Sequence, residues 1–443
     1  MNFKNNYWLR SGFISILQNF SGLFLSFGGF YFLVRILTKD QFGTWTLFLA
    51  VTSIIELTRN GLIQNALIKH LASSNRLDKM KIVTASAVIN AIFTLVIFLL
   101  LFSLAHLAAE LWAAPALQEL LYLYSLVFLI TCLQTQFNCI EQANLSFKGV
   151  FASNLSRQLI FFIFIAFCFF SNYQTSLTTL FLALIVSSLF STFISAVYAR
   201  RYLKYTKMID WAWVKTLLNY GKYTVGTSIS SLLSGNLDQM MLGAMLSPVA
   251  AGSFNIAVRI TNLANIPTNA VSTIVFPQTA KRMETQGTEG IKYLYEKSVG
   301  TILALLLPAL TFMYFFSDVV IHLIAGEKYN DTLPLLKITL IYSIFIPFGR
   351  QVGTIFDAIG KTKLNFILVL LTAIINIILN LILIRAYGVM GAAYASLFSG
   401  IIGYIISQII LKRMLGVSLL SPWIYAVKFY PEFYHKFLKK DTN

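Results

Sequence analysis

Apolar runs of about 20 residues recur along the whole chain between short polar connections, which is the pattern of membrane-spanning helices. It predicts spans near 11–36, 42–68, 82–108, 114–140, 152–171, 177–199, 216–245, 249–277, 293–316, 333–358, 364–384 and 390–411. Runs such as 93–102 and 364–384 are mostly apolar rather than alternating with period two, which excludes the strands of a membrane barrel. The pattern therefore predicts an all-α polytopic membrane protein of about twelve transmembrane helices, with only short loops.

The two halves of the pattern begin alike. Leu37-Thr-Lys-Asp-Gln-Phe-Gly43-Thr-Trp-Thr-Leu47 lies over Leu246-Ser-Pro-Val-Ala-Ala-Gly252-Ser-Phe-Asn-Ile256, and the same register sets Ser11-Gly12 over Tyr220-Gly221. Parallel halves of this kind suit a transporter whose lobes rock about a central cavity. The predicted organisation is an N-terminal six-helix lobe (1–205), a C-terminal six-helix lobe (206–415) and a basic, aromatic cytoplasmic tail (416–443). In that tail Trp423, Tyr425, Phe429 and Tyr430 alternate with Lys428 and Lys436, which predicts an interfacial segment on the inner leaflet.

Composition supports a chain solvated by lipid. It is 57% hydrophobic and 12% charged, with mean hydropathy +0.73, whereas soluble domains carry about 25% charged residues. The net charge of +17 comes from Lys and Arg clustered between apolar runs, as at Lys79 and Lys81, Arg200 and Arg201, Lys281 and Arg282, and Lys361 and Lys363. Those loops lie on one side in alternation, the side of the N-terminus, so the positive-inside rule predicts that both termini are cytoplasmic and leaves no role for nucleic acid. No cleavage pattern follows the first apolar run, which predicts an uncleaved first helix. Cys132, Cys139 and Cys168 fall in apolar stretches without metal-ligand spacing and read as small buried hydrophobes. No metal site is predicted.

Ionisable groups inside spans are costly and face a protein interior or a hydrated cavity. The eighth span places Asn255, Arg259, Asn262, Ile266 and Asn269 on one face, the second places Glu56, Arg59, Asn60 and Gln64, and the first offers Ser11, Ser15, Gln18 and Asn19. Arg350, Thr354 and Asp357 share a face in the tenth. Arg59, Arg259 and Arg350, with Asn60, Gln64, Asn255, Asn262, Asn269, Gln18 and Asn19, are the candidate substrate-binding residues. Glu56, Asp238 and Asp357 are the candidates for coupling to H+ or Na+. Ion pairs that only fix helix packing, namely Glu56 with Arg59, Arg350 with Asp357 and Asp238 with one of the cations, are the structural alternative. Arg259 has no acidic residue on its own helix and is the first choice to meet a ligand phosphate. Lys222 and Arg35 lie near span ends and read as snorkelling side chains.

Enzyme signatures are sparse. His70, His106, His322 and His435 are scattered, no nucleophile elbow or phosphate-binding loop occurs, and Asp318, Glu327 and Asp331 of the largest outer loop read as a solvated surface.

Three blocks carry a family resemblance: Ile36 to Leu47; Leu237-Asp-Gln-Met-Met-Leu-Gly243 followed by Ala251 to Ala257 and Phe276-Pro277; and Ala358 to Lys363 leading to Asn376, Asn380 and Tyr387 to Ser396. In order and spacing the sequence resembles the polysaccharide-export branch, the O-antigen flippases, of the multidrug, oligosaccharidyl-lipid and polysaccharide exporter superfamily. The resemblance implies a twelve-helix, two-lobed fold without an enzymatic cofactor. It also implies transfer of an undecaprenyl-pyrophosphate-linked oligosaccharide across the bacterial inner membrane. A polysaccharide polymerase and a chain-length regulator are the protein partners that such a role suggests. A cation-coupled multidrug exporter of the same superfamily and a membrane-embedded glycan transferase are the alternatives.

Overall fold

A computed structural model describes residues 7–144 and 146–435, without the side chains of 7–20, 222–235 and a few isolated positions. Every regular element among the described residues is helical. Nine of these helices are long and apolar enough to cross a membrane. The first and seventh predicted spans run through positions whose side chains lie outside the description, and the eighth is broken by a 3-10 turn at Asn262–Ala264. Contacts group the chain into two compact units, Met1–Leu232 with Ser247–Gly252, and Leu233–Leu246 with Ser253–Asn443.

The first unit contains α1 (Tyr7–Ile36), α2 (Lys39–Arg59), a π-helical turn (Asn60–Gln64), α3 (Asn65–Ser73), α4 (Arg76–Leu111), α5 (Pro115–Ala143), α6 (Lys148–Phe170), α7 (Leu177–Ala199) and the first part of α8 (Trp211–Met245). Polar residues begin the helices where the first backbone N–H groups need acceptors. Thr38 and Gln41 form a reciprocal capping box on α2, Asn75 caps α4, and Ser176 caps α7. Helix α5 packs against both α4 and α7, and Phe48 of α2 meets Tyr124 and Phe181 edge-on, with ring centroids 5.6 Å apart in each case.

Polarity is distributed in the reverse of a water-soluble bundle. Leu95, Leu99, Phe102 and Leu107 of α4 and Phe190 and Phe193 of α7 are exposed, while Gln134, Gln136, Ser188 and Ser191 are buried. That arrangement is favourable only where the surrounding solvent is lipid, so this is a multi-pass membrane protein. Arg35 lies over the Tyr31 ring at 4.5 Å. The connection into α8 is tied to α4: Thr206 N–H donates to Thr84 Oγ1 (2.9 Å), and Lys81 Nζ pairs with Asp210 Oδ2 (3.2 Å). The Lys81 ammonium holds the Asp210 carboxyl below its ordinary range.

Gly43 of α2 marks a close approach. A Cβ there would lie 2.1 Å from the Pro248 carbonyl oxygen, and one on Gly252 would lie 3.0 Å from Gly43 Cα. The two glycines that the internal repeat aligns therefore touch, and neither position has room for a side chain.

The second unit holds the rest of α8 and most of α9 (Pro248–Thr261), then α10 (Asn265–Phe315), α11 (Ser317–Ile324), α12 (Leu333–Ser343), α13 (Ile346–Ala358), α14 (Thr362–Tyr387), α15 (Val389–Leu415) and α16 (Ser421–Phe433). Two expectations change here. The polar connection predicted between the eighth and ninth spans is itself helical, because its Lys, Arg, Met, Glu and Gln residues are good helix formers; the interruption is confined to Gly287, at φ +62°. The outer loop is likewise folded, as α11 and a 3-10 turn at Glu327–Thr332 that buries Tyr329, although Asp318, Glu327 and Asp331 are exposed as predicted for a solvated surface.

The tail is also more ordered than an interfacial segment requires. Helix α16 packs along α10, with Tyr425 over the notch at Gly300, where a Cβ would lie 2.5 Å from Tyr425 Cβ. Tyr430 OH donates to the Ala304 carbonyl (2.6 Å), Lys297 Nζ to Glu432 Oε2 (3.0 Å), and Ser418 N–H to Glu296 Oε1 (2.8 Å). Ala426 is buried, whereas Leu420, Ile424 and Val427 are exposed on the far side, a face suited to a membrane surface. The tail residues Lys436, Lys439 and Lys440 lie outside the described residues, as does the side chain of Lys222. Overpacking the notch with Gly300→Leu should cost about 1–3 kcal/mol and release α16. Limited proteolysis should then cut at Lys428 faster than in the wild type, and an unchanged cleavage rate would count against this docking.

Candidate functional site

Helix α2 does not end where its Arg59 does. The chain continues into the π turn Asn60–Gln64, and the Asn60 N–H reaches both the Glu56 and Leu57 carbonyls. A π turn accommodates an extra residue by widening the helix, and such turns recur at functional sites. Around it lies a polar cavity of about 160 Å³ within the first unit, lined by Glu56, Arg59, Asn60, Gln64 and by residues of α5 and α6.

The sequence pattern reveals the α2 side of this cavity and misses the other two. Helix α5 contributes Thr131, Gln134, Thr135, Asn138, Cys139 and Gln142, and α6 contributes Asn154 and Arg157. The α5 residues recur at steps of three and four and form a legible polar stripe. It carries no charge, so a search for ionisable groups inside spans does not reach it. Arg157 stands nine residues, about 14 Å, into α6 and is the residue in this cavity that such a search should catch.

The cavity's three charges play unequal parts. Arg59 is buried at 2% exposure. Its Nη2 donates to Glu56 Oε2, its Nη1 to Thr131 Oγ1 (3.1 Å), and its guanidinium lies 4.6 Å from the centre of the Phe128 ring. Glu56 Oε1 accepts a hydrogen bond from Tyr124 OH (2.9 Å), so both carboxylate oxygens are engaged. The Glu56–Arg59 ion pair is thus present, although Arg59 Nε, a buried atom, has no partner among the described residues. Arg157, half-buried, makes no ion pair or hydrogen bond among the described residues. Gln134 is held by Ser191 (2.6 Å) and Asn154 (3.4 Å), which fixes the amide wall.

Removing one partner of a buried pair leaves an uncompensated charge and costs about 3–5 kcal/mol. Glu56→Ala should therefore sharply reduce folded protein in the membrane, and Glu56→Ala with Arg59→Leu should recover much of it. Detergent-extracted protein resolved by size exclusion provides the measurement; equal yields for the single and double variants would contradict a structural pair.

In the second unit Asp238 sits among neutral donors. Asn380 Nδ2 donates to Oδ1 (2.6 Å) and Ser396 Oγ to Oδ2 (2.7 Å), while Asn380 also contacts Asn376 Oδ1 (3.0 Å). No Lys or Arg pairs with Asp238 among the described residues, so its expected cation partner is not there. Arg350 and Asp357 do not pair either: they lie nearly two turns apart on α13, both exposed, and Asp357 Oδ1 accepts from Asn365 instead (3.0 Å).

The polar stripe predicted for the eighth span is not continuous, because a 3-10 turn has fewer residues per turn and rotates the residues beyond it. Asn255 and Arg259 before the turn are half-buried, and Asn262 and Asn269 are exposed. Asn262 accepts from Asn265 (3.0 Å). Arg259 is engaged with other groups, so isolation does not distinguish it. Gln18 and Asn19, with Ser11 and Ser15, lie on α1 with their side chains outside the described residues.

Residues 32–334 match the family described as polysaccharide biosynthesis protein. The chain belongs to that family. It is 24% identical over 403 residues to the lipopolysaccharide biosynthesis protein WzxC of Escherichia coli (strain K12), an alignment covering 88% of this chain and 79% of the relative. It is 26% identical over 189 residues to Agl15 of Haloferax volcanii, a probable low-salt glycan biosynthesis flippase, covering 42% of this chain and 39% of the relative. Among solved structures, the lipid II flippase MurJ in an inward closed conformation superposes with TM-score 0.78 at 16% identity, covering 98% of this chain and 94% of that one. An inward-facing multidrug resistance transporter of the MATE family and MOP superfamily gives TM-score 0.72 at 13% identity, covering 89% and 95%. These likenesses show that the chain shares the fold of those two structures over most of its length.

Proposed function

We propose that the protein moves an undecaprenyl-pyrophosphate-linked oligosaccharide, an O-antigen or capsular repeat unit, from the inner to the outer leaflet of the bacterial inner membrane. The observation that carries this reading is the cavity of the first unit, where amides and hydroxyls from three helices surround two guanidinium groups inside a lipid-solvated bundle. Amides of Asn and Gln suit sugar hydroxyls, guanidinium groups suit phosphate oxygens, and the polyprenyl tail can remain in the bilayer. Membership of the polysaccharide biosynthesis family supports the same substrate class.

Transport proceeds in this reading by alternating access, with both termini cytoplasmic. Coupling to H+ or Na+ runs through Asp238, whose partners are neutral. A polysaccharide polymerase and a chain-length regulator would receive the flipped units. Deleting the gene should deplete surface polysaccharide and leave lipid-linked repeat units facing the cytoplasm, measured by their protection from an external probe. The likeness to multidrug transporters supplies the second reading: unchanged surface glycan with raised sensitivity to cationic drugs would favour export of drugs instead.

A further inference from the structure

We infer that Arg157 is the residue that meets the ligand's phosphate, with Asn154, Asn138 and Gln142 beside it, and that Arg59 is held in reserve by Glu56. The inference rests on the flippase reading and assigns the anion contact within it. The cavity holds two arginines and one carboxylate. That carboxylate is used: one oxygen takes Arg59 and the other takes Tyr124 OH. Arg59 is immobilised further by Thr131 and by the Phe128 ring. Among the described residues the remaining positive charge is Arg157, and no other acidic side chain lines the cavity.

Glu141, near the end of α5, does not line the cavity. It is 1% exposed, its Oε1 accepts from Ser146 Oγ (2.8 Å) and the Gly149 N–H (3.0 Å) at the start of α6, and its buried Oε2 has no hydrogen-bond partner among the described residues. Arg157 thus presents a planar fork of donors with no acceptor among the described residues, well inside a transmembrane helix. Such a group is unfavourable unless an anion or water meets it, and a phosphate or diphosphate ester offers oxygens at the spacing of the fork. Asn154 lies one turn before it on α6, and Asn138 and Gln142 supply amide groups from α5. The amides can donate to the same oxygens or to the first sugar.

Two lipids carry this chemistry, the polyprenyl carrier and an anionic phospholipid. The experiment uses purified full-length protein in phosphatidylcholine nanodiscs, with melting followed as undecaprenyl pyrophosphate or phosphatidylglycerol is added to wild type, Arg157→Gln and Arg157→Lys. Undecaprenyl pyrophosphate should stabilise the wild type, and Arg157→Gln should need about 10–100-fold more of it for the same shift. Arg157→Lys should fall between, since it keeps the charge and loses the fork. Melting without added lipid should not fall, because Arg157 holds no other side chain among the described residues.

Equal lipid dependence in wild type and Arg157→Gln overturns the assignment, as does a lowered basal melting point with unaltered lipid dependence. Absence of any shift in the wild type overturns it too. An Arg157-dependent response to phosphatidylglycerol alone rejects the carrier as the source of the phosphate. In cells, normal surface glycan from Arg157→Gln would reject this residue and leave the flippase reading standing. Normal surface glycan after deletion of the whole gene would reject the reading itself.

Discussion

Asp238→Asn is expected to cut ion-driven transport by about 5–150-fold while leaving the amount of folded protein close to wild type. The carboxylate lies in a transmembrane helix and is held by Asn380 and Ser396, both neutral. With no fixed counter-charge among the described residues, binding a proton or a sodium ion in one conformation and releasing it in another changes the energy of this carboxylate strongly. Asparagine matches the shape and can keep one of the two hydrogen bonds, but it cannot carry the changing charge. Coupling between two sites is typically about 5–150-fold, and flipping in proteoliposomes under an imposed H+ or Na+ gradient should fall by that order. Retention of the full gradient dependence in Asp238→Asn would remove this residue from the coupling mechanism. Glu56, whose charge is matched by Arg59, is expected to behave as a structural residue in the same assay.

Gly43→Val should arrest transport almost completely. Any side chain at Gly43 meets the backbone of Pro248 and Val249, which cannot turn aside as the end of a flexible side chain can. Overpacking costs about 1–3 kcal/mol where neighbours can relax, and a backbone clash at this separation lies at the upper end, or about 100-fold against the apposed arrangement. If the two segments separate during transport, the variant should fold, reach the membrane and accumulate in the separated arrangement. Cysteines introduced at flanking positions of the two segments should then cross-link less than in an otherwise wild-type background. Full flipping by Gly43→Val at normal abundance would show that this contact is dispensable.

Several of these features are legible in the chain alone because they arise from local spacing. Lipid is a uniform apolar solvent and backbone hydrogen bonds must close within each segment, so apolar runs of span length suffice to read an all-helical membrane protein. Glu56 and Arg59 stand three residues apart, which puts them on one helical face whatever surrounds them. The aligned glycines Gly43 and Gly252 are visible as a repeat, although not as a contact.

What the tertiary structure decided depends on residues far apart in sequence. The partners of Asp238 lie 142 and 158 residues away, and no spacing rule connects them. The α5 stripe became one wall of a cavity only because α2 and α6 bring Arg59, Asn154 and Arg157 to it. Local periodicity also presupposes regular helices, and at Asn60–Gln64 and Asn262–Ala264 the winding departs from that period, so a face read at steps of three and four stops being a face there. Which arginine is neutralised is likewise a tertiary matter. Charge type is written in the sequence, but whether a guanidinium is paired depends on distances of a few ångströms between helices that packing alone sets.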